Sequence, residues 1–107
     1  MTGAEPKLDL GAIDRLVHEP ARMGILSVLD GVAEADFLFL QRVLGLTKGN
    51  LSAHLAKLEG AGLVTATKAF VRNVPLTTLA ITPAGREARV RHWAQLERVR
   101  DLGRPPG

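Results

Sequence analysis

The tripeptide Gly45-Leu46-Thr47 joins two helix-favouring stretches, and this short connection limits the fold more than any other feature. Before it, Asp36 is placed to cap a helix over residues 37–44, and Gly45 can adopt the left-handed conformation that ends that helix. After it, Thr47 is placed to cap a helix that runs to about residue 61. Two helices joined so closely must pack as neighbours, which predicts a helix-turn-helix.

The second of these helices, over 48–61, has one apolar and one small polar side. Leu51, Leu55 and Leu58 recur at i, i+4 and i+7 and therefore point inward, while Gly62 ends the helix. The outward residues are Lys48, Asn50, Ser52, Ala53, Ala56 and Lys57.

From Leu63 the pattern changes to two β-favouring segments, LVTATKAFV and LTTLAIT. Both are rich in Val, Thr and Leu with partial alternation, and the link Arg72-Asn73-Val74-Pro75 carries turn signals. We predict a two-stranded hairpin here. A hairpin directly after a helix-turn-helix makes a wing, which flanks DNA while the second helix enters the major groove.

Three further helices are predicted. Asp9 caps a first helix that ends before Pro20, Pro20 opens a second that runs to Gly31, and Thr82-Pro83 starts the last. The fold class is therefore mainly α with a small β-hairpin (α+β), as one winged helix-turn-helix domain with helical dimerisation elements at both ends. The predicted divisions are 1–102 for the domain, 36–62 for the helix-turn-helix, 63–82 for the wing, 83–101 for the C-terminal helix and 103–107 for a disordered tail.

Composition supports one domain and excludes several classes. The chain has 107 residues, 46% of them hydrophobic, and no Cys, so disulfides, thiolate metal sites and cysteine nucleophiles are excluded. We find no secretory signal pattern and no apolar run long enough for a membrane span, and we expect a cytoplasmic protein.

Charge is unevenly distributed. Residues 1–47 sum to −3 and residues 48–98 to +5, with a net +3 for the chain. This asymmetry indicates a polyanionic partner for the middle and C-terminal part.

Catalytic and metal-binding patterns are not found. The only serines, Ser27 and Ser52, lie outside nucleophile contexts, and His18 and His92 are far apart in sequence without clustered carboxylates or Cys. We therefore predict no enzyme activity, no metal site and no cofactor.

The segment 46–64, with Gly49-Asn50-Leu51-Ser52 followed by His54-Leu55, resembles the winged helix-turn-helix regulators of the MarR and ArsR type. The likeness extends upstream to 18–26 and downstream to 76–86, and so covers nearly the whole chain. It implies a homodimeric DNA-binding transcriptional regulator, with the recognition helix (48–61) in the major groove and the wing near the minor groove of a palindromic operator.

The predicted DNA contacts follow from residue type. Lys48 and Lys57 are about two and a half turns apart on the helix. We expect them to be close enough in angle to reach phosphates on either side of a groove. Asn50 and Ser52 suit base edges, with helix capping as the alternative for Asn50. Gly49 indicates close approach to DNA or to the preceding helix. The full predicted set is Thr47, Lys48, Gly49, Asn50, Ser52, Ala53, His54, Lys57, Lys68, Arg72 and Asn73.

Within that set, His54 matches a histidine of the resembled family, and it either contacts phosphate or packs on the preceding helix. Arg72 at the hairpin tip can enter a narrow minor groove, and Lys68 assists from the strand.

An apolar seam bordered by arginines on the last helix predicts a dimer interface, shared with the first helix; the alternative is that the last helix folds back on its own core. The predicted interface residues are Leu10, Ile13, Leu16, Val17, Val90, Trp93, Leu96 and Val99. Two other functions stay open: a protein-interaction module that does not bind DNA, and a regulator with a small-molecule effector in the dimer cleft.

Overall fold

Helices and a small antiparallel sheet alternate along residues 9–104, the part of the chain that the computed structural model describes. The elements are a 3₁₀ turn over Leu10–Ala12, α1 over Pro20–Asp30, β1 over Ala35–Asp36, α2 over Phe37–Leu44, α3 over Lys48–Gly60, β2 over Val64–Val71, β3 over Val74–Ile81 and α4 over Pro83–Asp101. The predicted fold class is confirmed. Within the described range, no helix is long and apolar enough to cross a bilayer.

Apart from that of the helix predicted at Asp9, the predicted helix starts are confirmed, and each is set by a local side chain. Asp36 accepts a hydrogen bond from the backbone N–H of Phe39 at 2.8 Å, and Thr82 accepts one from that of Gly85 at 3.0 Å. Gly45 ends α2 with φ +64°, in the left-handed region that was predicted for it.

The predicted first helix is wrong. Only the 3₁₀ turn forms, because Asp9 accepts from the N–H of Gly11 and Asp14 accepts from the N–H of Leu16 at 2.9 Å. Such short-range side-chain acceptors stabilise turns in place of a continuous helix. The segment predicted as an N-terminal helical dimerisation element is therefore not helical.

The sheet has three strands, in the order β1-β3-β2, where two were predicted. The additional strand is Ala35–Asp36, which pairs with β3 through Ala35↔Leu79. The hairpin turn is also tighter than the predicted link, since Val71 pairs directly with Val74. Arg72 and Asn73 take φ 52° and 63°, and this backbone is typical of a two-residue turn.

One core lies between α1, α3 and the sheet and holds α3 in place. Leu51 and Leu58 have 0% exposure and Leu55 has 7%, so the predicted inward face of this helix is confirmed. They pack in a cluster whose other fully buried members include Ile25, Leu26, Leu29, Leu40, Val64 and Leu79. The opposite side of α3 is left at the surface. The predicted tail lies partly outside the described residues, which end at 104.

Candidate nucleic-acid interface

The exposed side of α3 has a centre of small residues. Gly49, Ala53, Ala56 and Gly60 are all exposed and recur at i, i+4, i+7 and i+11, so they share one face opposite the buried leucines. A surface of this kind lets another molecule approach the helix backbone closely. A Cβ on Gly49 would meet no atom within 4 Å, so packing against the preceding helix does not account for this glycine.

Polar side chains border this small face on both sides. Asn50, His54 and Lys57 form one flank at i, i+4 and i+7, and Lys48 and Ser52 lie on the other. The two lysines are nine residues apart, which is two and a half turns, so they lie on opposite flanks; this corrects the expectation that they are close in angle.

The N-terminus of α3 is capped by Thr47. Its hydroxyl accepts a hydrogen bond from the backbone N–H of Asn50 at 3.1 Å. The side chain of Asn50 is exposed and has no part in this cap, so the alternative role considered for it in capping is not seen.

A cleft of about 320 Å³ separates α3 from the wing. Lys48, Ser52 and Glu59 line it from the helix, and Lys68 and Thr77 line it from the strands. The cleft therefore has one lysine on the helix side and one on the strand side, and its one carboxylate, Glu59, lies near the opposite end of α3 from Lys48. The cleft connects the exposed face of α3 to the hairpin, so the two elements present one continuous surface.

The wing carries only positive charge. Residues 64–81 contain Lys68 and Arg72 and no acidic residue, and both bases are exposed. Arg72 and Asn73 form the two-residue turn itself, with positive φ, and so lie beyond the paired ends of the strands.

His54 differs from the other predicted DNA contacts because it is mostly buried, with 22% of its side chain exposed. Arg22 Nη1 lies 3.0 Å from His54 Nδ1, and Glu19 Oε2 lies 3.4 Å from the same atom. A guanidinium only donates hydrogen bonds, so Nδ1 accepts and Nε2 carries the proton. The histidine thus packs against the start of α1, rather than against the preceding helix.

Glu19 and Arg22 connect α1 to α3 through this histidine. Arg22 is 8% exposed and its Nε also donates to the carbonyl oxygen of Leu16. Burial raises the pKa of the Glu19 carboxyl, but the N–H groups of Arg22 and Ala21 and the neighbouring side chains of His54 and Arg22 together lower that pKa from its ordinary value of 4.5.

Two of the basic residues counted in the positive segment are paired inside the molecule. Arg86 Nε lies 3.1 Å from Asp30 Oδ1, and Arg89 Nη1 lies 2.9 Å from Asp30 Oδ2. They fasten α4 to the end of α1 and contribute little free charge to the surface around α3.

Comparison with known proteins decides the family. The model of the winged helix DNA-binding domain matches residues 21–99. The chain belongs to this family. The predicted resemblance to winged helix-turn-helix regulators is thereby confirmed.

The chain is similar to proteins that are named as transcriptional regulators. The structure of a transcriptional regulator homologue from Pyrococcus horikoshii OT3 is 36% identical, with TM-score 0.76, and the match covers 82% of this chain and 87% of that one. The transcriptional regulator CmtR of Mycobacterium tuberculosis is 44% identical over 59 residues, which is 54% of this chain and 48% of CmtR. This chain therefore matches about half the length of CmtR.

The third has the same fold at lower identity. The repressor CouR, solved bound to a 23-mer DNA duplex, is 23% identical with TM-score 0.66, and the match covers 88% of this chain and 74% of CouR.

A second surface of this winged-helix protein is the apolar seam of α4. Because its members are spaced three residues apart, the seam winds around the helix, and its two ends, Val90 and Val99, lie on opposite sides. Val90, Trp93 and Val99 are exposed by 64%, 41% and 37%, while Leu96 is half-buried. A groove of about 400 Å³ runs beside Trp93. These exposed members do not pack on the core, but α4 itself folds back onto it through Ala88, so the alternative considered for this helix holds for its other face.

The N-terminal members of the predicted interface are distributed differently. Leu10 is 63% exposed, whereas Ile13 and Leu16 are half-buried. Val17 is 1% exposed and lies in the hydrophobic core, so it is unavailable to a partner and its assignment to the interface is wrong.

A histidine pair was missed from the sequence. His18 Nδ1 lies 2.9 Å from His92 Nε2, although 74 residues separate them. His92 is 1% exposed and its Nδ1 is buried without a hydrogen-bond partner among the described residues. Burial and the neighbouring His18 lower the pKa of His92 below 6.5, while Asp14 acts in the opposite direction. No sequence signal brings these residues together, because only tertiary packing does so.

Proposed function

We propose that this protein is a sequence-specific, homodimeric transcriptional regulator that binds double-stranded DNA, with α3 in the major groove and the wing tip near the minor groove. The observation that carries the proposal is the exposed face of α3, which is small at its centre and has a lysine on each flank. This is the shape and charge that a groove-reading helix needs.

The centre and borders of the exposed face of α3 contact the base edges. Gly49 and Ala53 let the helix backbone approach the base edges, which places Asn50 and Ser52 within reach of them. Asparagine pairs bidentately with adenine, and serine donates to or accepts from several bases.

Phosphate contacts come from the flanks and the helix start. Lys48 and Lys57 lie on opposite flanks of α3 and so suit the two phosphate walls of one groove. The N–H groups of the first turn, beside Thr47, favour an anion. His54 adds its Nε2–H, since Arg22 occupies Nδ1. Lys68, Arg72 and Asn73 extend the contacts along the wing.

Dimerisation uses the apolar seam of α4 around Trp93, which winds from Val90 on one side of the helix to the half-buried Leu96 and to Val99 on the other. Leu10 adjoins this set from the N-terminal segment, with Ile13 and Leu16 only partly accessible. Two recognition helices about 34 Å apart match successive major grooves and favour a palindromic operator. CouR, which has the same fold, binds a duplex, and this agrees with the proposal. Because the partner is chromosomal DNA, we also place the protein in the cytoplasm.

The test is a mobility-shift titration on duplex DNA from the region upstream of the protein's own operon. We expect log affinity to fall linearly with log salt, and Lys57→Ala to reduce that slope by about 1, because one phosphate contact is lost.

The matched control is Arg104→Ala, which removes an exposed base beyond α4 that pairs with Asp101 at 3.3 Å. This change should leave the slope unaltered. If the wild-type protein is not retained on duplex DNA even at low salt, the proposal fails and a protein-interaction module becomes the better interpretation.

A further inference from the structure

The wing tip carries an apolar ridge on the side that continues toward α3. In the β2–β3 ladder Lys68 pairs with Thr77, and Phe70 pairs with Pro75. Directly opposed residues share a face, and so do residues two apart on one strand. Phe70 and Pro75 therefore lie on the same face as Lys68 and Thr77, the residues that line the cleft with α3.

Phe70 is 76% exposed, the highest value among the large apolar side chains of the described residues. At that exposure its ring contributes little to the stability of the protomer, since stabilisation depends on the apolar area removed from water. Its position at the end of a basic hairpin, instead of on the α4 seam, indicates a use apart from dimerisation.

The ladder also explains how a proline is tolerated here. Val71 and Val74 close a two-residue turn and form the hydrogen-bonded pair, so Phe70 and Pro75 are the next, non-hydrogen-bonded pair. The missing N–H of Pro75 therefore removes no hydrogen bond from the ladder. Side chains in non-hydrogen-bonded pairs also lie closer together than those in hydrogen-bonded pairs. The result is a narrow ridge of fixed shape.

The charge of the hairpin indicates what kind of molecule contacts this ridge. The hairpin bears Lys68 and Arg72 and no carboxylate, which suits a polyanion. In the minor groove, apolar side chains inserted between base pairs partly unstack them and kink the duplex, while neighbouring basic groups hold the phosphates.

We propose that Phe70, supported by Pro75, is an apolar wedge that enters the minor groove beside Arg72 and bends the operator. This inference rests on the proposed function. It implies that the operator has a pyrimidine–purine step at the wing position, because TA and CA/TG steps unstack most easily.

The experiment measures bending and binding separately. A duplex selected from a random pool by the wild-type protein is labelled with a donor and an acceptor at its two ends, and energy transfer is recorded at saturating protein. We expect transfer to rise on binding, Phe70→Ala to lose most of that rise with a 3- to 30-fold weaker Kd, and Phe70→Leu to retain much of it.

Val74→Ala is the matched control, because Val74 is 61% exposed and lies on the opposite face of the hairpin. It should bend the duplex as the wild type does. If Phe70→Ala bends the duplex fully, or if the wild type binds without bending it, the wedge is disproved while the proposed function stands. If no duplex is bound or selected, the proposed function itself fails.

Discussion

Arg22 and His92 are both buried polar side chains, but their surroundings differ. The charge of Arg22 has compensating partners, whereas a charge on His92 would have no ion-pair partner among the described residues. Arg22 donates to His54 and to the carbonyl oxygen of Leu16, and Glu19 lies 4.0 Å away, so its charge is compensated. Among residues 9–104, His92 has a single hydrogen-bond partner, His18, and its Nδ1 has none. A proton added to His92 would place an uncompensated charge in the interior, which is costly.

This difference predicts a pH dependence of stability. Because the pKa of His92 is lowered below 6.5 in the fold, the unfolded chain binds more protons than the native state once the pH falls through that value. The free energy of unfolding should therefore decrease between pH 7.5 and about pH 5.5, with urea titrations as the measurement. His92→Gln should flatten this dependence.

The pH dependence of stability also depends on the groups that surround His92. His18 and Asp14 act on its pKa, and Arg91 and Gln95 line a cavity of about 80 Å³ beside it. The pKa of Glu19 is lowered from its ordinary value by its hydrogen bonds and neighbouring charge, so its carboxylate stays ionised between pH 7.5 and 5.5 and does not contribute to this effect. NMR titration of the His92 ring supplies a second readout, and a midpoint at or above 6.5 would contradict the prediction.

At the scale of elements, the sequence predicts what local chemistry decides. Asp36, Thr47 and Thr82 start helices because each cap needs only a backbone N–H two or three residues ahead. The N-terminal segment was mispredicted as a helix because its apolar spacing suits one, whereas Asp14 bonds locally instead. β1 could not be predicted, since two residues become a strand only through their pairing with β3.

Adding a single methyl group at each of two glycines should have opposite effects on the stability of the fold. At Gly85, where α4 begins, a Cβ would clash with the carbonyl oxygen of Leu63 and lie 2.8 Å from Ile81 Cγ1. Gly85→Ala should therefore destabilise the fold by about 1–3 kcal/mol, as overpacking does. Gly49→Ala has open space and should stabilise α3 by up to about 1 kcal/mol.

Urea midpoints of the two variants at constant m-value measure both effects. The comparison also separates stability from function. If α3 lies against DNA as proposed, Gly49→Ala should bind the duplex no more tightly despite its greater stability. Equal stability of Gly85→Ala and the wild type would mean that the junction between β2 and α4 relaxes freely.

At the scale of the whole molecule, element order was enough to predict the winged helix-turn-helix, because a helix-turn-helix followed by a hairpin has few compact arrangements. The distribution of usable charge was not predictable. Arg86 and Arg89 contribute to the positive segment in sequence, but tertiary packing pairs both with Asp30. The basic groups left around α3 and the wing include Lys48, Lys57, Lys68 and Arg72.

Assembly is the remaining question at this scale, and Trp93 is the residue that tests it. Trp93 is 41% exposed at the middle of the α4 seam, beside the groove that a partner's side chain could fill. Large aromatic residues at the centre of an interface usually contribute most to its affinity. We expect Trp93→Ser to convert a dimer into a monomer at micromolar concentration in sedimentation velocity.

Leu38→Ser is the matched control, because Leu38 is 61% exposed on α2 and should leave the dimer intact. Loss of the dimer should also weaken binding to a palindromic duplex far more than binding to a single half-site, because the second recognition helix is no longer tethered to the first. If Trp93→Ser stays dimeric and Leu38→Ser does not, the two-fold axis passes through α2. The spacing between the recognition helices, and hence the operator, would then have to be derived from that surface instead.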